Sequence, residues 1–263
     1  MSEPSIVLRD LVMRFGVGTA NPVLAVDHVS LSLRPGEFVS LVGPSGCGKT
    51  TILNLLTGLL SDAHDGDVRV LGQVPRAGNP DIAYMLARDS LLPWRTTLGN
   101  AAYGMEIRNV PKAEREARAL DLLARVGLRD FSDKYPKALS HGMRQRCALA
   151  RTFALDSPVF LMDEPFGALD AQTKLQLEDV LMNLWSAAKK TVVFVTHDLA
   201  EAVALSDRVI VMSARPGRIV ADVPIDLPRP RNVRALQKDQ RFHELYAHLW
   251  TLLEQGMGGV HAQ

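Results

Sequence analysis

Residues 43–51 read Gly-Pro-Ser-Gly-Cys-Gly-Lys-Thr-Thr and fill the pattern Gly-x-x-x-x-Gly-Lys-Ser/Thr from Gly43 to Thr50. The stretch before them, Glu37–Val42, is apolar and β-branched enough for a buried strand, and the stretch after them, Thr51–Thr57, reads as a helix. A strand, a glycine-rich loop and a helix in that order make a phosphate cradle. The glycines let the backbone curl until several N–H groups face one anion, and the helix start adds its positive dipole end. Within the loop, Gly43, Pro44, Ser45, Gly46, Cys47, Gly48, Lys49, Thr50 and Thr51 are the candidate nucleotide contacts. Lys49 supplies a mobile cation, and the Thr50 hydroxyl suits Mg²⁺.

A second segment, Val159–Pro165, is an apolar strand that ends in the adjacent carboxylates Asp163 and Glu164. An Asp at a strand mouth beside a phosphate loop can orient Mg²⁺ through water. The next residue points elsewhere and can polarise a water for attack on the terminal phosphate.

Between and beyond these lie Leu139-Ser-His-Gly-Met-Arg-Gln-Arg146, Gly167-Ala-Leu-Asp170 and Val193-Phe-Val-Thr-His-Asp198. The series, in this order, resembles the ATPase subunit of an ATP-binding cassette (ABC) transporter over about residues 6–230. Leu91–Thr96 and Ser213–Ile219 resemble, more softly, the importer subfamily for nitrate, sulfonate, taurine and related small ions. The resemblance implies an α/β fold of the P-loop NTPase kind, with a parallel-sheet core, an antiparallel β subdomain and a helical subdomain. It implies ATP and Mg²⁺ as ligands, with Thr50 and Asp163 on the metal, Glu164 polarising the water and His197 bonding the γ-phosphate. It implies a homodimer in which Ser140 and Gly142 of one subunit cover the ATP of the other, steadied by Asp170. It makes Phe15 the candidate for stacking on adenine, the alternative being a simple core residue. Trp94 falls where the family meets its permease, the alternative being a place in its own lobe's core. Permease membrane subunits, an extracytoplasmic binding protein and a peripheral position on the cytoplasmic face of the inner membrane follow from the same resemblance.

Composition agrees with that placement. Thirty basic residues against 29 acidic give a net charge of +1, with no basic excess for nucleic acid. No apolar run approaches the ~20 residues that cross a bilayer, and Met1–Ser5 lacks the pattern of a signal peptide. A membrane role therefore needs a partner that spans. The two cysteines, Cys47 in the loop and Cys147 after Arg146, read as small reduced residues.

Along the chain, the short strands expected before residue 72 suit an antiparallel sheet beside the nucleotide, with Asp65-Gly66 as a turn and Asp67–Leu71 as a half-buried strand. The expected domains are an ATPase domain over 1–230, with a helical subdomain at about 88–150, and a helical extension over 231–255. A disordered tail is expected over 256–263. Ser140 is placed to cap a helix from His141 to Ala154.

Two positions depart from the family. Ala87 stands where a Gln is usual and has no side-chain donor or acceptor; Arg88, Asp89 or water could replace it. His141 stands where a Gly is usual, and could add charge near the γ-phosphate or point outward. They motivate one rival reading, a regulatory pseudo-ATPase; a second rival, independent of them, is a soluble ABC ATPase that acts as a mechanical or assembly module. No sustained heptads separate Lys49 from Leu139, which argues against a coiled-coil repair ATPase.

Overall fold

The computed structural model describes residues 3–60, 64–87, 90–167 and 169–258. The chain forms two compact units, one of Met1–Asn79 with Lys190–Gln263 and one of Pro80–Lys189.

The first unit holds two sheets. Strands β1 (Ile6–Phe15), β2 (Val23–Leu33) and β4 (His64–Val70) form an antiparallel sheet in the order β2-β1-β4. In β2 the alternation is legible, with Val29, Leu31 and Leu33 buried and Ser30 and Ser32 exposed, as one covered face requires. Strand β3 (Phe38–Val42) lies between β7 (Thr191–Val195) and β8 (Arg208–Met212), parallel to both, and β9 (Ile219–Pro224) runs antiparallel to β8. All five residues of β3 and all five of β7 are buried. That continuous apolar run is what a parallel strand covered on both faces needs. Helix α1 (Lys49–Thr57) follows β3, and α6 (Leu199–Leu205) joins β7 to β8.

The turn expected at Asp65-Gly66 is instead part of β4. There the pairing with β1 shifts register, between Arg9 and Val12. A Cβ on Gly66 would come within 2.5 Å of the Arg9 and Asp10 carbonyl oxygens, and its φ is +91. Glycine therefore serves a β-bulge contact rather than a chain reversal. The C-terminal helix is also not one run. It divides into α7 (Val233–Leu236) and α8 (Gln240–Gly258), because Asp239 turns its carboxylate onto the Phe242 N–H and starts a new helix. Helix α8 continues through Gly256 to Gly258, past the point where a disordered tail was expected. The rest of that tail, 259–263, lies outside the described residues.

The second unit pairs β5 (Ile82–Met85) with β6 (Val159–Asp163) in parallel. It adds α2 (Thr97–Ile107), α3 (Lys112–Arg125), α4 (His141–Ala154) and α5 (Ala171–Ala188). Helix α3 buries Ala119, Leu122 and Leu123 on one face, the stripe that its spacing predicts. Three of these helices start on a side-chain cap: Thr96 for α2, Ser140 for α4 and Asp170 for α5.

Candidate nucleotide site

In the first unit, β3 delivers the chain into the loop and α1 takes it away with Gly48 as its first flanking residue, without a side-chain cap. Gly46 and Gly48 have φ of +77 and +98, values that L side chains rarely adopt. Lys49 is 6% exposed, and its ammonium donates to the carbonyls of Gly43 at 2.7 Å and Pro44 at 3.0 Å, with the Cys47 sulfur at 3.7 Å. The two carbonyls carry no formal charge to offset an anion's attraction for the ammonium. Thr50 is exposed and Thr51 is half-buried. A helix start that no side chain caps, positive-φ glycines and a Lys cation are a donor set that fits a triphosphate.

The loop is braced from outside by a segment whose structural use was not legible in the sequence. A Cβ on Gly43 would meet the Cys47 sulfur and the Met212 carbonyl oxygen at 2.9 Å each. The backbone of Gly217 exchanges hydrogen bonds with β2, donating to Ala25 and accepting from Asp27, both at 3.0 Å. The Ser213–Ile219 segment thus lies between β2 and the loop. Cys47 is fully buried here, and among the described residues neither it nor the buried Cys147 forms a disulfide.

His197 stands one residue past Thr196, whose N–H donates to Leu41 of β3 at 3.2 Å. The imidazole is therefore carried by the strand neighbouring the one that feeds the loop, and it is exposed. The turn around it is tied down. The Thr196 hydroxyl bonds the buried Glu201 carboxylate and accepts from the Asp198 N–H at 3.0 Å. Asp198 caps α6 by accepting from Ala200 at 2.7 Å and Glu201 at 3.2 Å. Phe15 ends β1 and is 40% exposed, so it is not a core residue.

In the second unit Asp163 closes β6 and is 7% exposed. Tyr84 of β5 pairs with Leu161, two residues before Asp163 and on the same face, and bonds the Asp163 carboxylate. Burial first, then the negative Asp163, pushes the Tyr84 phenol up to about 12. Glu164 follows with φ +43, in the left-handed region that non-glycine residues rarely adopt.

Ser140 and Gly142 at the start of α4 meet Asp170 and Thr173 at the start of α5 around a cavity of about 280 Å³. The Ser140 hydroxyl accepts from Met143 N–H at 3.3 Å. Asp170 accepts from Thr173 N–H at 3.0 Å, and its bonds to Thr173 hold its carboxyl below the usual range. His141, in the same cavity wall, does not point outward: its Nδ1 lies 3.3 Å from the Arg144 Nη2, and its Nε2 is buried without a partner among the described residues.

Trp94 is 70% exposed, so its side chain is not packed in the lobe's core. Its loop is held by the fully buried Asn100. That amide accepts from Leu92 N–H at 2.7 Å and donates to the carbonyls of Leu92, Arg95 and Thr96 at 3.0–3.1 Å. Arg95 next to it forks onto Glu106 at 2.8 and 3.0 Å and lies over the Tyr103 ring. Ala87 is exposed. Arg88 and Asp89, the candidates to replace its missing function, lie outside the described residues. Ser90 beyond them gives its carbonyl to Arg151 in the last turn of α4, at 2.8 Å.

Comparison with known proteins agrees with this set of parts. The ABC transporter family model matches residues 26–167. An ABC transporter ATP-binding protein of Methanocaldococcus jannaschii is 46% identical over 82% of this chain and 81% of its own length. A taurine import ATP-binding protein of Rhizobium johnstonii is 39% identical over 91% of this chain and 92% of its own. A solved dimeric ATP-binding cassette, bound to ADP and Pi after hydrolysis, superposes with a TM-score of 0.73 at 29% identity. That match covers 85% of this chain and 100% of the cassette. Among the described residues no helix is long and apolar enough to cross a membrane. The chain belongs to the ABC transporter family, as an ATP-binding subunit that hydrolyses ATP on an α/β P-loop NTPase fold.

Proposed function

We propose that this ATPase powers a bacterial-type importer of small organic or inorganic anions of the nitrate, sulfonate or taurine kind. The observation that carries the proposal is the near full-length similarity to a taurine import ATP-binding protein. The exposed Trp94 on a loop locked by Asn100 adds to it, because a rigidly displayed aromatic suits a pocket on a membrane partner. Two copies would work on two permease subunits, with an extracytoplasmic protein delivering the solute and the cassettes peripheral at the cytoplasmic face of the inner membrane.

In this reading Phe15 stacks on adenine, and the loop amides with Lys49 hold the phosphates. Thr50 and Asp163 would hold Mg²⁺, which when bound supplies charge neutralisation to the phosphate oxygens. Glu164 takes a proton from the attacking water, and His197 fixes that water and the γ-phosphate in register. Ser140 and Gly142 cover the nucleotide of the other copy, with Asp170 beside them at the subunit contact. The experiment is reconstitution with the permease and binding protein encoded beside this gene. ATP turnover that rises when taurine, a sulfonate or nitrate is supplied supports the proposal. Turnover indifferent to the permease, or association with a soluble assembly partner instead, overturns it.

A further inference from the structure

The connector that leaves β9 carries two arginines whose placement has no role in the chemistry just described. Arg231 is 9% exposed. Its Nη1 donates to the carbonyls of Val203 and Ala204 at 3.2 Å and Ser206 at 2.6 Å. Its Nη2 donates to Ile225 and Leu227 of the connector itself, at 3.3 and 3.1 Å. Arg229 donates to the Leu205 carbonyl and to the Asp207 carboxylate, both at 2.7 Å. Carbonyls 203–206 are those that the last turn of α6 cannot satisfy by itself. Two cations from the connector take all four, where the helix dipole also favours positive charge.

The other end of α6 carries His197 and its turn. Thr196, Asp198 and Glu201 fasten that end by the bonds described above, and residues 202–205 of the helix are fully buried. Asp207, just past the clamped end, also accepts from the N–H of Phe38 at 2.9 Å, at the foot of the strand that feeds the phosphate loop. One connector therefore grips the feet of two elements whose far ends present the γ-phosphate histidine and the phosphate loop.

We propose that Arg231, assisted by Arg229, is a positioning residue for ATP hydrolysis: it fixes the register of α6 and so the place of His197. The proposal rests on the reading of His197 as the γ-phosphate contact. A helix of seven residues buried along its length has little room to bend, so a shift at Ser206 is felt at Asp198. Burial holds the Arg231 guanidinium down to about 10, so it remains charged at neutral pH and needs its carbonyl partners.

The test compares the full-length protein with R231M, R231K and H197A. Three quantities are read: ATP turnover against ATP concentration, melting temperature, and nitrogen–proton spectra of the histidine rings, with the His197 signal assigned by its loss in H197A. R231M is expected to lower kcat about ten-fold with KM within two-fold, and to move the His197 signal. R231K, which keeps a cation but offers no planar fork, is expected to fall between the two. A parental kcat in R231M overturns the proposal, and so does a lowered kcat with an unmoved His197 signal. Should R231M not fold, R231K decides alone by the same two readings, with a kcat loss of about three-fold expected. A parental rate in H197A would remove the catalytic reading of His197, while the ring signals would still report whether the clamp exists.

Discussion

Gly217 lies so close to the phosphate loop that a Cβ there would fall 1.9 Å from the Cys47 carbonyl oxygen. No rotamer relieves that overlap, because both partners are backbone. Gly217→Ala must push the loop or the 213–218 turn aside, a strain of about 1–3 kcal/mol for overpacking. The expected result is ATP affinity at least ten-fold weaker, with a lowered melting temperature. Titration with a fluorescent ATP analogue and a thermal melt check it.

Lys49→Ala removes the one side-chain cation that the loop itself supplies. Hydrogen bonds to charged groups are worth about 1.5–3 kcal/mol each, so affinity for ATP should drop ten-fold or more while ADP, lacking the γ-phosphate, loses less. Unchanged ATP affinity would place the main phosphate site elsewhere.

Glu164→Gln keeps the shape of a side chain at φ +43 and removes its basicity. Turnover should fall by about 10²–10⁴, the usual worth of a general base, while ATP still binds. The expected product is a long-lived ATP-bound dimer, visible by size-exclusion chromatography. Parental turnover, or a variant monomeric with ATP, would take Glu164 out of this role.

Ala87→Gln supplies an amide where the family carries one. Lys49, Asp163, Glu164 and His197 do not depend on it, so the basal rate should change less than the stimulation by reconstituted permease. A many-fold change in basal rate at a constant stimulation ratio would assign position 87 to the chemical step.

Trp94→Ala deletes a ring that is 70% exposed and should leave the melting temperature unchanged while weakening retention on permease in detergent. Asn100→Ala should weaken the same association for a different reason. It strips the side-chain hydrogen bonds from three carbonyls and one N–H of the loop, two of the carbonyls keeping a backbone donor, and should cost stability by about 1–3 kcal/mol. Equal retention of Trp94→Ala and the parent would show that the loop is not the permease contact.

Much of the site was legible because its chemistry is local. The loop glycines, the Asp163-Glu164 pair and the Ser140 cap each declare themselves within a few residues, and the helix from His141 to Ala154 has the expected ends. What escaped was long-range. Nothing around Gly217 announces that the Cys47 carbonyl will lie against it, and nothing around Arg231 announces the carbonyls of α6. Asn100 reads as an ordinary helix residue until the loop folds back over it. Gly66 misled for the same reason: an Asp-Gly pair is a turn signal locally, while the strand it faces decides otherwise.

Helix α4 touches two of the proposed interfaces. Its first turn carries the Ser140 cap and Gly142, and its last turn holds the Ser90 carbonyl through Arg151, beside the loop that displays Trp94. Fourteen helical residues make a rod of about 21 Å, and a rod of that length does not shorten. If nucleotide engages the Ser140 end as proposed above, an axial shift of that end would reach the Ser90 end through the same helix. In the proposed reading, the message between a sealed ATP and a membrane partner would travel along one stiff member.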